Sequence, residues 1–173
     1  LLHMKVIAYD PYLTAEEIAA RGAEKVELDD LMRRSDFVSI SCPLSKDNRR
    51  MIGARQFALM QPNAFFITTA RGFIHDEEAL YEALRDKRIA GAGLDVWDKE
   101  PPPPDHPLLQ FDNVLASPHT AGVTQEARVN MGRIAAEQIL DALDGKRPPR
   151  IVNPEVWPAY VKRFERAFGF APK

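Results

Sequence analysis

Short apolar runs alternate along this chain with longer stretches whose apolar residues recur every three or four positions, and few folds accommodate that rhythm. A run of four to six apolar residues suits a strand buried in a sheet, whereas the longer spacing gives a helix one apolar stripe. Met4–Tyr9 (MKVIAY), Phe37–Ser41 (FVSIS), Ala64–Thr68 (AFFIT), Ala90–Leu94 and Asn113–Ala116 read as strands, and Lys25–Leu28 fits a short one. Between them, Thr14 is placed to cap a helix to about Arg21, and Leu28–Arg34 and Ala54–Met60 read as brief helices. Asp76 suits the N-cap of a helix to Lys87 with the stripe Ala79, Leu80, Ala83 and Leu84. Thr124 opens a longer helix to about Asp144, with Val129, Ile134, Ile139, Leu140 and Leu143 on one side and Gly145 as its stop. The expected architecture is α/β, a mainly parallel sheet covered by helices on both faces.

With 173 residues, the chain is long enough for one ordinary domain and too short for two full ones. A net charge of -2, with 28% charged residues, supplies no excess of positive charge to draw in a polyanion, so nucleic acid is not an expected partner. The single cysteine, Cys42, excludes an intrachain disulfide framework, and no apolar run approaches the ~18 residues of a membrane span. Leu1-Leu2-His3-Met4 is too short and too uncharged for a signal peptide, so a reducing cytoplasm is the expected compartment. Pro101–Pro104 reads as a stiff extended connector, and the proline- and aromatic-rich tail from Ile151 allows a short helix over Val161–Phe168.

Ligands of open parallel sheets bind beyond the carboxyl ends of the strands, so the residues that follow each apolar run are the informative ones. Here these are Asp10-Pro11, Cys42-Pro43, Thr69-Ala70-Arg71-Gly72, Asp95 and Ser117-Pro118-His119. Two acids, an arginine and a histidine would therefore converge on one edge. Taken singly, each has a plainer reading. Asp10 before proline is a turn former, Asp95 could cap a turn, and Arg71-Gly72 could be a solvated loop. Glu100 lies in the charged stretch Asp98-Lys99-Glu100, which on its own reads as wet surface, and His119 alone reads as structural. His3, His75 and His106 also read as structural, and no histidine or cysteine spacing suggests a metal site.

Together, in order and spacing, Tyr9-Asp10-Pro11, Cys42-Pro43-Leu44, Thr69-Ala70-Arg71-Gly72, Gly91-Ala92-Gly93-Leu94-Asp95-Val96, Glu100-Pro101, His106-Pro107-Leu108 and Ser117-Pro118-His119-Thr120-Ala121-Gly122 closely resemble the NAD-dependent D-2-hydroxyacid dehydrogenase family. The resemblance runs from about Met4 to Pro154. It implies a Rossmann-like doubly wound sheet and hydride exchange between NAD(H) and a small 2-oxo or 2-hydroxy carboxylic acid. It also implies a catalytic set of Arg71, Glu100 and His119. Arg71 would grip the substrate carboxylate and His119 would protonate the carbonyl oxygen. Glu100 would bond the other imidazole nitrogen and favour the charged ring. Cofactor contacts would come from Asp10, Cys42, Pro43, Thr69, Ala70, Arg71, Asp95, His119, Ala121 and Gly122. Within that set, Asp10 would accept from the adenosine ribose and favour NAD over NADP, and Asp95 would fix the nicotinamide carboxamide.

The sequence departs from the family in one large respect. No G-x-G-x-x-G lies in it, and the family places that motif, with the sheet's first strand, ahead of the strand that MKVIAY matches. Two apolar strand edges would then lack their common neighbour. The expectation is an incomplete NAD-binding domain over residues 1–150 and a tail over 151–173 that packs on an absent substrate domain, together the C-terminal part of a longer, homodimeric dehydrogenase. Thr68 also stands where the family commonly has asparagine. Two other readings stay open: a nucleotide-sensing interaction module of the corepressor kind, and an inactive remnant. Glu100 disfavours formate oxidation, because the family's formate enzymes pair their histidine with glutamine.

Overall fold

Thr14 opens the first helix with a full capping box. Its hydroxyl accepts the Glu17 N–H at 3.2 Å while the Glu17 carboxylate accepts the Thr14 N–H at 2.8 Å. In the computed structural model, which describes residues 3–171, this helix α1 (Ala15–Ala19) links β1 (Ile7–Ala8) to β2 (Glu24–Lys25) as a parallel pair. The apolar run Met4–Tyr9 is longer than its strand because β2 offers only two residues to pair with. Then follow α2 (Leu28–Arg34), β3 (Phe37–Ile40), α3 (Ala54–Leu59), β4 (Phe65–Thr68), α4 (Glu77–Arg85), β5 (Gly91–Leu94) and β6 (Val114–Ala116). The last four strands form one all-parallel sheet in the order β3-β4-β5-β6. β1 and β2 form a separate sheet, and β1 makes no ladder with β3.

Register decides which face is covered. Val38, Phe66 and Ala92 align across the sheet, as do Ile40, Thr68 and Leu94, and all six are buried. They pack with Met32 of α2, Phe57 of α3 and Leu80, Ala83 and Leu84 of α4 into a single core. The alternate residues face the other way: Phe37 and Phe65 stack at 5.6 Å but stay 55% and 39% exposed, and Leu115 is 81% exposed. Within this part of the chain the expected helices on both faces are therefore found on one face only. An alternation of strand and helix reports how many helices are available, not which side each takes.

The chain divides into two compact units, Leu1–Ala121 and Gly122–Lys173. The second holds α5 (Gln125–Leu143) and α6 (Trp157–Phe168). The apolar stripe expected on α5 is present but unburied: Val129, Ile139, Leu140 and Leu143 are each about 60% exposed. α6 begins earlier than Val161 because Pro154 opens a tight 3-10 turn that feeds it, and it stops at Gly169, whose φ of 75° is the left-handed conformation of a helix C-terminus. Phe164 is its buried anchor, flanked by Phe168 and Phe170 at 4.6 and 5.4 Å, and the Tyr160 hydroxyl donates to the Ala142 carbonyl of α5.

Candidate active site

Three loops leave the carboxyl ends of β4, β5 and β6, and local rules fix each. After β4, the buried Thr68 hydroxyl accepts the Ala70 N–H at 3.4 Å, so threonine supplies a hydrogen bond at the position where its presence stands out in the sequence. Gly72 follows Arg71 because nothing larger fits: a Cβ there would lie 2.0 Å from the Trp97 carbonyl oxygen. The loops after β4 and β5 thus touch backbone to backbone, which brings Arg71 towards the residues that follow Asp95.

Asp95 builds the third loop. It is 4% exposed, and its Oδ1 accepts from the Ser117 hydroxyl at 2.5 Å and from the N–H groups of Thr120 at 2.7 Å and Ala121 at 3.0 Å. Its backbone carbonyl takes the His119 N–H at 2.7 Å. Burial alone would push this carboxyl up, but the Ser117, Thr120 and Ala121 hydrogen bonds, with His119 nearby, hold it below the ordinary aspartate range. A charged carboxylate so enclosed fixes the backbone of the turn that carries His119, whose φ of 58° is unusual for a residue with a side chain.

His119 and Glu100 meet at 2.8 Å through Nδ1 and Oε2. The hydrogen bond with His119 is the main cause that holds the Glu100 carboxyl below its usual range, followed by the Trp97 N–H at 3.1 Å and the charges of His119 and Arg71. Glu100 is therefore ionised at neutral pH and can only accept, so Nδ1 of His119 carries the hydrogen and Nε2 is left without a partner among the described residues. Both side chains are partly exposed, at 40% and 36%. Trp97 braces the pair from behind, 2% exposed, its indole N–H donating to the Ser117 carbonyl at 2.9 Å.

Beside Arg71 lies a cleft of about 560 Å³ lined by Ser41, Cys42, Pro43, Leu44, Thr69, Ala70 and Arg71. It sits beyond the carboxyl ends of β3 and β4, and its size falls in the ordinary range for a small-molecule site. Asn48 donates to the Pro43 carbonyl at 2.7 Å and lies 3.5 Å from the Cys42 sulfur, so the Cys42-Pro43 turn is held as a wall. Asp10 follows β1, where one carboxylate oxygen accepts the Tyr12 N–H at 2.8 Å and the other has no partner among the described residues. Ala121 is tied to Asp95, whereas at Gly122 an added Cβ would meet nothing within 4 Å. The structure thus brings Arg71, Asp95, Glu100 and His119 together and leaves Asp10 on the separate β1–β2 sheet. Trp97 and Asn48 support these loops and are passed over in the sequence reading. A tryptophan three residues past the end of a strand was the available signal.

A parallel α/β sheet with a lined cleft and charged loops at its carboxyl edge has a Rossmann-like layout, in which ligands bind beyond the ends of the strands. Comparison with known proteins narrows this. Residues 1–121 match the family "D-isomer specific 2-hydroxyacid dehydrogenase, NAD binding domain". The chain belongs to that family, and NAD is the cofactor of the domain it matches. It is 42% identical over 159 residues to a D-3-phosphoglycerate dehydrogenase of Archaeoglobus fulgidus, covering 91% of this chain and 30% of that protein. It is 41% identical over 153 residues to a glyoxylate reductase of Korarchaeum cryptofilum, covering 88% and 46%. Among solved structures, the D-lactate dehydrogenase of Lactobacillus jensenii with NAD+ superposes with a TM-score of 0.77 at 32% identity, covering 86% of this chain and 48% of that one. The chain thus spans between about a third and half the length of these relatives.

The residues present fit a dinucleotide in part. A cleft beside Arg71 and an Asp10 oxygen without a partner among the described residues are present. A glycine-rich loop for the pyrophosphate is not in the sequence.

Proposed function

We propose that this chain carries the acid–base and carboxylate-binding half of an NAD-dependent D-2-hydroxyacid dehydrogenase, which interconverts a small 2-oxo acid and its D-2-hydroxy acid. The observation that supports this most directly is the Glu100–His119 pair at 2.8 Å, with the Arg71 charge acting on the same carboxylate. Bound NADH would supply the hydride. His119, with Nδ1 held by ionised Glu100, would present Nε2 to the substrate oxygen and give up a proton there as that oxygen gains charge. Arg71 would hold the substrate carboxylate in a two-pronged grip that aligns its carbonyl. Asp95 would act by setting the turn under His119, and its second oxygen would be available to the nicotinamide carboxamide. Asp10 would accept from the ribose hydroxyls and repel a 2′-phosphate.

The separate β1–β2 and β3–β6 sheets support a further part of the reading: a strand from outside residues 1–173, bearing the glycine-rich loop, lies between β1 and β3 in the working enzyme. The cofactor domain would then run to about residue 150, with residues 151–173 against a substrate domain. The test uses the full-length product of the gene with NADH and glyoxylate, hydroxypyruvate, pyruvate or phenylpyruvate. His119→Ala should lower kcat by at least ~100-fold, the usual worth of a positioned general acid, with NADH affinity little changed. A wild type as inert as the mutant on every oxo acid would end the enzyme reading in favour of a sensing module or a remnant.

A further inference from the structure

Outside the site itself, a polar network in the first unit ties together the loops after β3, β4 and β5. Asp98 is its hub, 16% exposed at the side chain. Its Oδ1 accepts the Phe73 N–H at 2.7 Å, and its Oδ2 pairs with Nη2 of Arg50 at 2.6 Å. Arg50 closes the bracket from the other side. Its backbone N–H donates to the Phe73 carbonyl at 2.7 Å, and its Nη1 donates to the His75 carbonyl at 3.1 Å. The Phe73 residue is thus held at both its N–H and its C=O, and the Arg49 guanidinium lies over its ring at 4.0 Å. Behind Asp98, its own N–H donates to Glu77 at 2.8 Å, and Glu77 reaches His106 at 3.3 Å.

Two features make this more than a surface ion pair. Arg50 and Phe73 have φ of 56° and 64°, a left-handed conformation that costs side-chain-bearing residues about 1 kcal/mol or more and persists only where surrounding contacts enforce it. The clamped residues also stand in register with the catalytic ones. Phe73 is two residues after Arg71, and Asp98 is two before Glu100. Through Phe73 and Asp98, one bracket therefore spans the loop that grips a carboxylate and the loop that orients the acid.

We propose that Arg50 and Asp98 are positioning residues that set the spacing between Arg71 and the Glu100–His119 pair, and so the fit of a 2-oxo acid between its carboxylate and carbonyl anchors. This rests on the function proposed above. A misplacement of about 1 Å can cost on the order of 100-fold in rate, so a bracket of this kind should be visible in substrate kinetics.

The test compares wild type, Asp98→Ala, Arg50→Met and Arg50→Lys in the full-length enzyme. The readouts are melting temperature, KM for NADH, KM and kcat for the preferred oxo acid, and the equilibrium affinity of the NADH-loaded protein for oxamate, an unreducible 2-oxo acid amide. Expected for Asp98→Ala and Arg50→Met is a rise of at least tenfold in oxo-acid KM and a matching loss of oxamate affinity. KM for NADH should stay within twofold, and Arg50→Lys should recover part of the loss. A merely structural role would weaken NADH and oxo acid together, or lower only stability. Arg50→Met, at a side chain 39% exposed, decides the matter if Asp98→Ala does not fold. Oxo-acid KM and oxamate affinity within twofold of an active wild type would overturn the bracket, whereas an inert wild type overturns the proposed function instead.

Discussion

His75 is 1% exposed, and neither of its ring nitrogens has a hydrogen-bond partner among the described residues. Its ring packs on Phe66 at 5.4 Å, with Arg50, Asp76 and Asp98 as the charges near enough to act on it. Burial is the dominant cause that pushes its pKa down from 6.5 to about 4, with the Asp98 charge opposing. The folded state thus holds the ring neutral over a window in which the unfolded chain protonates it. Stability from this residue is complete above pH ~6.5 and falls as pH drops towards ~4, by about 3 kcal/mol across the window. An unpaired buried N–H costs on the order of 1–3 kcal/mol even at neutral pH. His75→Leu should therefore raise the urea midpoint at pH 7 and raise it more at pH 5. If the pH dependences of wild type and variant run parallel between pH 4 and 7, the ring is not the group responsible. His75 reads as structural from its place in the sequence, but nothing in the sequence reveals that it lacks partners. That depends on the strands and loops that close over it.

Caps are the part of each element that local sequence determines most strictly. Asp76 accepts from the N–H groups of Glu78 at 3.0 Å and Ala79 at 3.2 Å, as its type and place ahead of an apolar stripe imply. Asp76→Ala should cost about 1 kcal/mol in urea unfolding, and Asp76→Asn should keep most of that; equal losses would mean that charge, not capping, matters at this site. Thr14 and Thr124 cap their helices for the same reason and were equally legible. Taken singly, Arg71, Glu100 and His119 read as a solvated loop, a wet surface and a structural ring; only their order along a family pattern groups them, and in the fold Glu100 and His119 lie 2.8 Å apart. The site was illegible where a role depends on contact between loops. Asp98 looks like a solvated charge in the sequence, and its loop meets that of Arg50 only through the loop after β4, by the Gly72–Trp97 approach on one side and the Arg50–Phe73 backbone bond on the other. Likewise the stripe on α5 was readable, whereas its exposure was not, because periodicity records a wish for burial and not the partner that grants it.

At the scale of the molecule, β1 and β2 pair over two residues each, and two-stranded sheets of that size have little stability of their own. Ile18 and Val26 are their buried apolar neighbours, whereas the β4–β5 ladder runs four residues through the main core. β3, the outer strand of its sheet, leaves one edge unpaired, an arrangement that invites another strand. Amide hydrogen exchange of the 173-residue chain should therefore separate the two sheets, with Ile7 and Ala8 exchanging fast and Phe66 and Ile67 slowly. In the full-length protein, a strand inserted between β1 and β3 would give both edges a ladder partner. The β1 and β3 amides that face it would then slow by at least tenfold, whereas those of β5, already flanked on both sides, would change little. Protection at β1 that is the same in the two proteins would place that strand elsewhere, and the separation of the sheets would belong to the native fold.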